Sequence, residues 1–152
     1  GDDGAYERVE KETNGMRETD GRGLATLDYD RDGEQELVVA TYDAEFVVYD
    51  NAAVDDRNGL QFRVVDERGA TALGAEVTVT ADGEQVVRHT SNTDFLSQDS
   101  RVEHVGVGAG ETVSLRVVWP DGTERRFEDV SADQRLRITK SGIVVVSADS
   151  TA

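Results

Sequence analysis

The pattern of hydrophobic and polar residues alternates with a period of two along much of the chain, and this period predicts β-strands rather than helices. Residues 75–80 read Ala-Glu-Val-Thr-Val-Thr, which is the pattern of a strand with one face buried and the other in solvent. Residues 60–64 alternate in the same way, and residues 113–119 place Val, Leu, Val and Trp on one face. Short strands with turns about every 8 to 12 residues predict an all-β fold, either a sandwich or a small barrel.

Turn residues and polar stretches divide these strands into groups. Three short strands are predicted over 24–27, 37–41 and 46–49, and the polar segment that follows them is interpreted as a linker. Further along, Asp82-Gly83 and Pro120-Asp121-Gly122 predict tight turns between paired strands. The predicted organisation is a first module over 1–53, a second module over 58–140, and a C-terminal strand and tail over 141–152.

The acidic composition narrows the classes of partner. The chain has 32 Asp and Glu residues against 16 Lys and Arg residues, which gives a formal charge of −16. Such a surface repels phosphate backbones and anionic lipids, so nucleic acid and membrane surfaces are poor candidates. Because only Lys11 and Lys140 are lysines, the composition is also typical of a halophilic protein adapted to high salt. An ordinary acidic extracellular protein is the alternative.

Cysteine and long apolar segments are both absent from the sequence. Without cysteine the chain has neither a disulfide framework nor a thiolate metal site. The longest apolar runs, such as Ile143-Val144-Val145-Val146, fall far short of the roughly 20 residues that a membrane-spanning helix needs. The sequence therefore predicts no membrane insertion.

The strongest chemical signal is the acidic segment Asp-Tyr-Asp-Arg-Asp-Gly-Glu-Gln-Glu, which begins at Asp28. The side chains of Asp28, Asp30 and Asp32 alternate and can converge on one ion, and the glycine after them permits a sharp turn. The backbone carbonyl of Glu34 and the carboxylate of Glu36 would complete the ligand shell. Hard oxygen ligands in a flexible loop favour Ca²⁺ over Mg²⁺ or zinc, with an expected Kd of about 10⁻⁴ to 10⁻³ M.

Two other interpretations of this segment compete with a calcium hairpin. An EF-hand loop has a bidentate Glu at its twelfth position, but that position is Val39 here and the flanking segments are predicted strands. The other alternative is an Asp-rich turn that arises by chance in an acidic chain and holds no ion.

The same region resembles one FG-GAP (VCBS-type) repeat, which is a blade of the integrin-type β-propeller. The resemblance is carried by Gly-Arg-Gly-Leu-Ala over 21–25, by the Asp-rich string over 28–33 and by Leu-Val-Val-Ala over 37–40. It implies a calcium loop between the first two strands, with the ligand roles falling on the five acidic residues named above. Glu36 departs slightly from the repeat, which more often has Asp at that position.

Residues 58–140 resemble the ASPIC/UnbV domain, which follows such propellers in secreted proteins of the cartilage acidic protein family. The matching stretches are 74–79, 95–98, 104–108 and 117–122. Asp94 stands where the family usually has Gly, and Phe95 replaces a Tyr. The resemblance implies a β-sandwich-like domain in an extracellular or cell-surface protein with adhesion or matrix roles and no catalytic residue set.

One departure from the family concerns the number of blades. A propeller closes with about 4 to 8 blades, whereas this sequence contains one blade-like repeat. A lone blade has unpaired edges. Three arrangements remain open: further blades in a longer protein, packing on the neighbouring domain, or strands supplied by another chain.

An enzyme is a weak alternative. His89 and His104 are the only histidines, and a Ser-His-Asp arrangement can be drawn with Ser91, Ser97 or Asp94. No G-x-S-x-G motif supports it, however. The sequence therefore predicts a non-catalytic protein.

Two alternatives within the non-catalytic class stay open. Trp119 could stack on a carbohydrate, although its alternation with Leu115 and Val117 favours a core position. The apolar run over 143–146 is expected to pair at a sheet edge of its own chain, but it could instead be donated to a neighbouring molecule. The function predicted from sequence is an extracellular, calcium-stabilised recognition, adhesion or matrix module with a protein or glycan partner. A self-associating structural subunit and a carbohydrate-binding module are the alternatives.

Overall fold

The computed structural model describes residues 20–30, 34–42, 45–51, 58–91 and 100–146. Within these ranges the regular structure is entirely β, which confirms the predicted all-β class. In chain order the strands are β1 (Gly21–Leu27), β2 (Glu36–Thr41), β3 (Val47–Tyr49), β4 (Asn58–Val64), β5 (Glu76–Ala81), β6 (Glu84–His89), β7 (Glu103–Gly108), β8 (Thr112–Val118), β9 (Glu124–Ser131), β10 (Gln134–Thr139) and β11 (Gly142–Val145). The described residues contain no helix of the length and apolarity that crossing a membrane requires.

Strands β1 to β3 form an antiparallel sheet of their own, here called the N-terminal sheet. Its register places Leu24 opposite Val39 on one face and Val38 opposite Val48 on the other, so both faces carry apolar side chains. Leu24 and Val48 are each 51% exposed. The fully buried residue of this sheet is an acid, Glu36. The N-terminal sheet therefore has apolar faces but buries none of its described hydrophobic residues fully.

Strands β4 to β11 form two four-stranded sheets, here called the C-terminal unit. Their strand orders are β11-β10-β4-β7 and β6-β5-β8-β9. All pairs are antiparallel except β10 with β4, which run parallel with Leu136 beside Phe62. Both sheets contribute to one hydrophobic core, in which the largest fully buried side chains include Phe62, Leu60, Leu115 and Leu136.

The alternation read from the sequence explains which residues enter this core. In β4 the buried residues Leu60, Phe62 and Val64 alternate with partly exposed residues, as predicted. Trp119 is 2% exposed, and its indole Nε1 donates a hydrogen bond of 3.2 Å to the carbonyl oxygen of Val65. This confirms the core interpretation of Trp119, because a buried indole N–H needs an acceptor.

The predicted tight turn between β5 and β6 is confirmed by its backbone geometry. Asp82 and Gly83 have φ values of 48° and 84°, and positive φ at both central residues is what a two-residue hairpin of type I′ requires. The strand after it runs from Glu84 to His89 with most side chains exposed. It lies at the edge of its sheet and pairs with β5 alone.

The apolar C-terminal segment pairs within its own chain. β11 is antiparallel to β10, and the N–H of Val146 donates to the carbonyl oxygen of Arg135 at 2.7 Å. Ile143 packs against the core, whereas Val144 and Val145 remain about half exposed. The expectation of pairing at an intrachain sheet edge is therefore confirmed for 142–146, and residues 147–152 lie outside the described ranges.

Candidate metal centre

The β1–β2 hairpin gathers three of the predicted ligands. Leu27 pairs with Glu36 at the end of the ladder, so Asp28 and Glu36 stand at the two sides of the loop mouth. Asp28, Asp30 and Glu36 each offer a carboxylate oxygen, and these oxygens lie within 4.8 Å of one another. This group of three residues is called the acidic cluster below.

Glu36 is fully buried, with 0% of its surface exposed. Its Oε2 accepts a hydrogen bond of 3.0 Å from the backbone N–H of Tyr29. Its Oε1 is buried and has no hydrogen-bond partner among the described residues. A buried carboxylate oxygen without a partner costs about 1 to 3 kcal/mol or more, so this atom requires an explanation.

The two carboxylate oxygens of Asp28 differ in their contacts, as those of Glu36 do. Its Oδ2 accepts a hydrogen bond from the side-chain amide Nε2 of Gln61, on β4 of the C-terminal unit. Its Oδ1 is buried and, within the described part of the chain, lacks a partner. Two acids of the cluster thus each use one oxygen in a hydrogen bond and leave the other buried and unsatisfied. A bound cation would satisfy both unpaired oxygens.

Electrostatic repulsion within the acidic cluster also favours a bound cation. Two unit charges 4.8 Å apart repel by about 1 kcal/mol in water and by about 3 kcal/mol at an effective dielectric constant of about 20. Asp30 is exposed and its charge is partly screened, but Glu36 is not exposed to solvent. The donor set of carboxylate oxygens suits a hard divalent cation such as Ca²⁺ or Mg²⁺.

The other two predicted ligands have different outcomes. Glu34 lies outside the acidic cluster, and its Oε2 accepts a hydrogen bond of 3.0 Å from the side-chain amide of Asn51. This is compatible with the sequence interpretation, in which Glu34 contributes its backbone carbonyl rather than its side chain. Asp32 lies outside the described residues.

Sequence reasoning missed two amides that hold the loop acids, Gln61 and Asn51. Gln61 was identified only as a polar position in the alternation of its strand. The sequence contains no signal for its contact with Asp28, which lies 33 residues away. Asn51 fell within the predicted linker, although a polar residue close after the third strand is placed to reach back to the hairpin.

The histidines of the enzyme alternative belong to different sheets. His89 is exposed at the end of β6, and His104 is partly buried in β7, which belongs to the other four-stranded sheet. Ser91 is described and exposed, whereas Ser97 and Asp94 lie outside the described ranges. The described residues therefore give no support to a Ser-His-Asp arrangement.

Comparison with known proteins places the C-terminal unit in a family. The profile of the family described as ASPIC and UnbV matches residues 66–144, just over half of the chain. A curated relative, cartilage acidic protein 1 of Xenopus tropicalis, is 32% identical over 114 residues. That alignment covers 69% of this chain and 17% of the relative, so the chain spans less than a fifth of the relative's length. The predicted family stretch 95–98 falls outside the described residues.

Proposed function

The chain belongs to the ASPIC and UnbV family, and from this premise we propose that it is a non-catalytic, calcium-stabilised recognition or matrix module that acts outside cells. The relative named above is a cartilage acidic protein by name, and this supports an extracellular matrix setting. The proposed partner is a protein or a glycan. The high-salt adaptation indicated by the composition remains part of the proposal, because the charge of −16 is tolerated best where salt screens self-repulsion.

The observation that carries the calcium proposal is the pair of buried, unpartnered oxygens, Asp28 Oδ1 and Glu36 Oε1. The carboxylates of Asp28, Asp30 and Glu36, each with an oxygen within 4.8 Å of the others, would supply three anionic ligands. The Asp-x-Asp-x-Asp-Gly spacing supports the addition of Asp32 and of the Glu34 carbonyl. Calcium is favoured over magnesium because Ca²⁺ accepts carboxylate and carbonyl oxygens in flexible geometry, whereas Mg²⁺ demands a near-ideal octahedron and retains several waters.

In this proposal the N-terminal sheet is one blade of the FG-GAP (VCBS) type. Its three antiparallel strands and the acidic loop in its first hairpin support that assignment. A sheet with apolar side chains on both faces is normally covered on both faces, and exposed Leu24 and Val48 lie on opposite faces. We therefore propose that further sheets of the same kind cover the blade. The C-terminal unit is proposed to be a β-sandwich, because its two sheets supply one common core.

Thermal melting with calcium, magnesium or chelator at matched ionic strength tests the calcium proposal. Matched salt is needed because any cation stabilises an acidic surface. We expect a rise in Tm that calcium produces and magnesium does not, and that Asp30→Ala removes. Glu84→Ala is the control, because it also deletes one carboxylate but lies on the exposed strand β6. A calcium-specific rise that survives Asp30→Ala would contradict the site.

A structural subunit that self-associates through sheet edges is a second candidate, and one observation favours it. β11 is an edge strand, and its Val144 and Val145 are 49% and 57% exposed. Edge strands with apolar side chains pair readily with other chains. Size-exclusion chromatography of the double variant Val144→Lys/Val145→Lys tests this candidate. If the wild-type protein is an oligomer and the variant is a monomer, edge pairing is supported; an unchanged oligomer, or a monomeric wild type, argues against it.

A further inference from the structure

Gln61 connects the acidic cluster to the C-terminal unit. It lies on β4, an inner strand of its sheet, between the fully buried residues Leu60 and Phe62. Because side chains alternate along a strand, Gln61 projects from the face opposite the core. Its Nε2 donates to Asp28 Oδ2 at the mouth of the β1–β2 loop. A residue of one unit thus holds a proposed metal ligand of the other.

We propose that Gln61 is a positioning residue for the cation site and that it couples ion binding in the hairpin to the stability of the C-terminal unit. This inference rests on the proposed calcium function. Its basis is the difference between the two carboxylate oxygens of Asp28. Oδ2 accepts the hydrogen bond from Gln61, and the buried Oδ1 has no partner in the described part of the chain. By holding Oδ2, the amide would fix the rotation of the carboxylate and leave the buried Oδ1 available to an ion.

The chemistry of the amide suits this role. A neutral N–H donor satisfies one lone pair of Asp28 without cancelling the charge that attracts the ion. A lysine or arginine at this position would instead compete with the ion for the carboxylate. Hydrogen-bond partners that orient metal ligands typically change metal affinity by about 10- to 100-fold when they are removed. Gln61 is expected to have an effect at the lower end of that range, because it contacts one ligand.

The strand register places no acidic residue directly beside Gln61 on the neighbouring strands. Its neighbours across the sheet are Arg135 on β10 and His104 on β7. The acidic cluster therefore meets the C-terminal unit at a row that contains no carboxylate. This arrangement avoids adding to the like-charge repulsion already present among Asp28 and its neighbours.

Thermodynamic linkage makes the coupling reciprocal. If the hydrogen bond from Gln61 favours the ion-bound hairpin, then the ion favours the state in which Gln61 is held in place on a folded β4. The sheet that contains β4 also contributes Leu136 and Ile138 to the core. Calcium is therefore expected to delay unfolding of the C-terminal unit, although every proposed ligand lies outside that unit.

Two intrinsic probes report on the two units separately. Tyr29 lies between Asp28 and Asp30 in sequence and is 58% exposed, so it can sensitise the luminescence of Tb³⁺ bound in place of calcium. Trp119 is the only tryptophan and is buried in the core of the C-terminal unit, so its fluorescence reports unfolding there. Displacement of Tb³⁺ by calcium gives the calcium affinity, and the Trp119 melting curve with and without calcium gives the coupling.

The test compares wild type with Gln61→Ala and with Gln85→Ala, in which the same side chain is removed from the exposed strand β6. We expect calcium to raise the Trp119 melting temperature of wild type and of Gln85→Ala. Gln61→Ala should keep the wild-type Trp119 spectrum, because the side chain lies outside the core, but should bind calcium about tenfold more weakly. Its calcium-dependent shift of the Trp119 melting curve should be lost.

The outcomes separate this inference from the calcium proposal. If wild type binds Tb³⁺ and calcium but Gln61→Ala binds them equally well, Gln61 does not position the site. If wild type binds calcium but the Trp119 melting curve does not respond, the coupling is wrong and the calcium site stands. If wild type binds neither ion, both proposals are refuted.

Discussion

Replacing Glu36 with glutamine should raise the stability of the protein in chelator and reduce or remove the further gain that calcium gives. The carboxylate oxygens of Asp28, Asp30 and Glu36 lie within 4.8 Å of one another, so Glu36→Gln removes two like-charge interactions from the ion-free protein. Each interaction amounts to about 1 kcal/mol in a water-like dielectric and more where solvent is excluded. Charge removal alone should therefore stabilise the ion-free protein by about 2 kcal/mol.

The hydrogen bonds of the site reinforce this expectation. The carbonyl of the new amide can still accept from the N–H of Tyr29, which now donates to Glu36 Oε2 at 3.0 Å. Its NH₂ group would replace Oε1, which makes no hydrogen bond to the described residues, so the substitution breaks no hydrogen bond there. For a chain of this size, a gain of about 2 kcal/mol corresponds to a rise in Tm of about 4 to 8 °C. In calcium the same substitution removes an anionic ligand, so the calcium-dependent rise should shrink or disappear.

Far-UV circular dichroism melting curves in chelator and in calcium, at matched ionic strength, measure both effects. Glu34→Gln is a matched control, because it makes the same change of charge on a side chain that bonds Asn51 and lies outside the acidic cluster. The control should leave the calcium-dependent rise in Tm nearly unchanged. The reasoning is refuted if Glu36→Gln lowers Tm by the same amount in both conditions, since Glu36 would then act only through its bond to Tyr29.

Three further predictions concern the C-terminal unit. Arg137 lies directly opposite an arginine on β4, so Arg137→Thr should raise the free energy of unfolding in urea by about 0.2 to 1 kcal/mol, and less at high salt; a loss of stability would contradict this. The hydrogen bond from Lys140 lowers the pKa of Asp121 from 3.8 to about 2, so the stability that the pair contributes is present above pH 3.8 and is lost as the pH falls through about 2. Asp121→Asn should therefore lower Tm near neutral pH, and the difference from wild type should vanish as the pH approaches about 2. A difference that is independent of pH would refute the ion pair as its cause. Gly83 has a φ of 84°, so Gly83→Ala should cost about 1 to 2 kcal/mol in thermal unfolding, whereas Gly106→Ala, where an added Cβ meets no atom within 4 Å, should cost less.

The acidic cluster could be predicted because its members are close in sequence. Asp28, Asp30 and Glu36 lie within one hairpin, and the two strands that flank the loop bring its ends together whatever the rest of the chain does. The pattern of residue types was therefore enough to place the three acids at one site. It could not show that Asp28 and Glu36 each leave a buried oxygen unsatisfied, because burial depends on what packs around the hairpin.

The resemblance to the ASPIC and UnbV family in the second half of the chain could also be recognised from short motifs. The Val-Trp-Pro-Asp-Gly segment that ends at Gly122 contributes a buried indole and a turn in which Gly122 has a φ of 83°. These are local requirements for a core aromatic residue and for a positive φ, so they leave a mark in the sequence. The number of strands that surround such a segment cannot be read from these residues in the same way.

What the sequence determined by itself was local: the period-two alternation that sends Phe62 and Leu115 into the core, the Asp82-Gly83 turn, and the acids of one hairpin. Tertiary structure alone decided the parallel pairing of β10 with β4 and the reach of Gln61 to Asp28. The physical reason is that alternation specifies which face of a strand is buried but not which strand lies beside it. That choice depends on how distant strands share one core, and contacts such as the one between Gln61 and Asp28 follow from it.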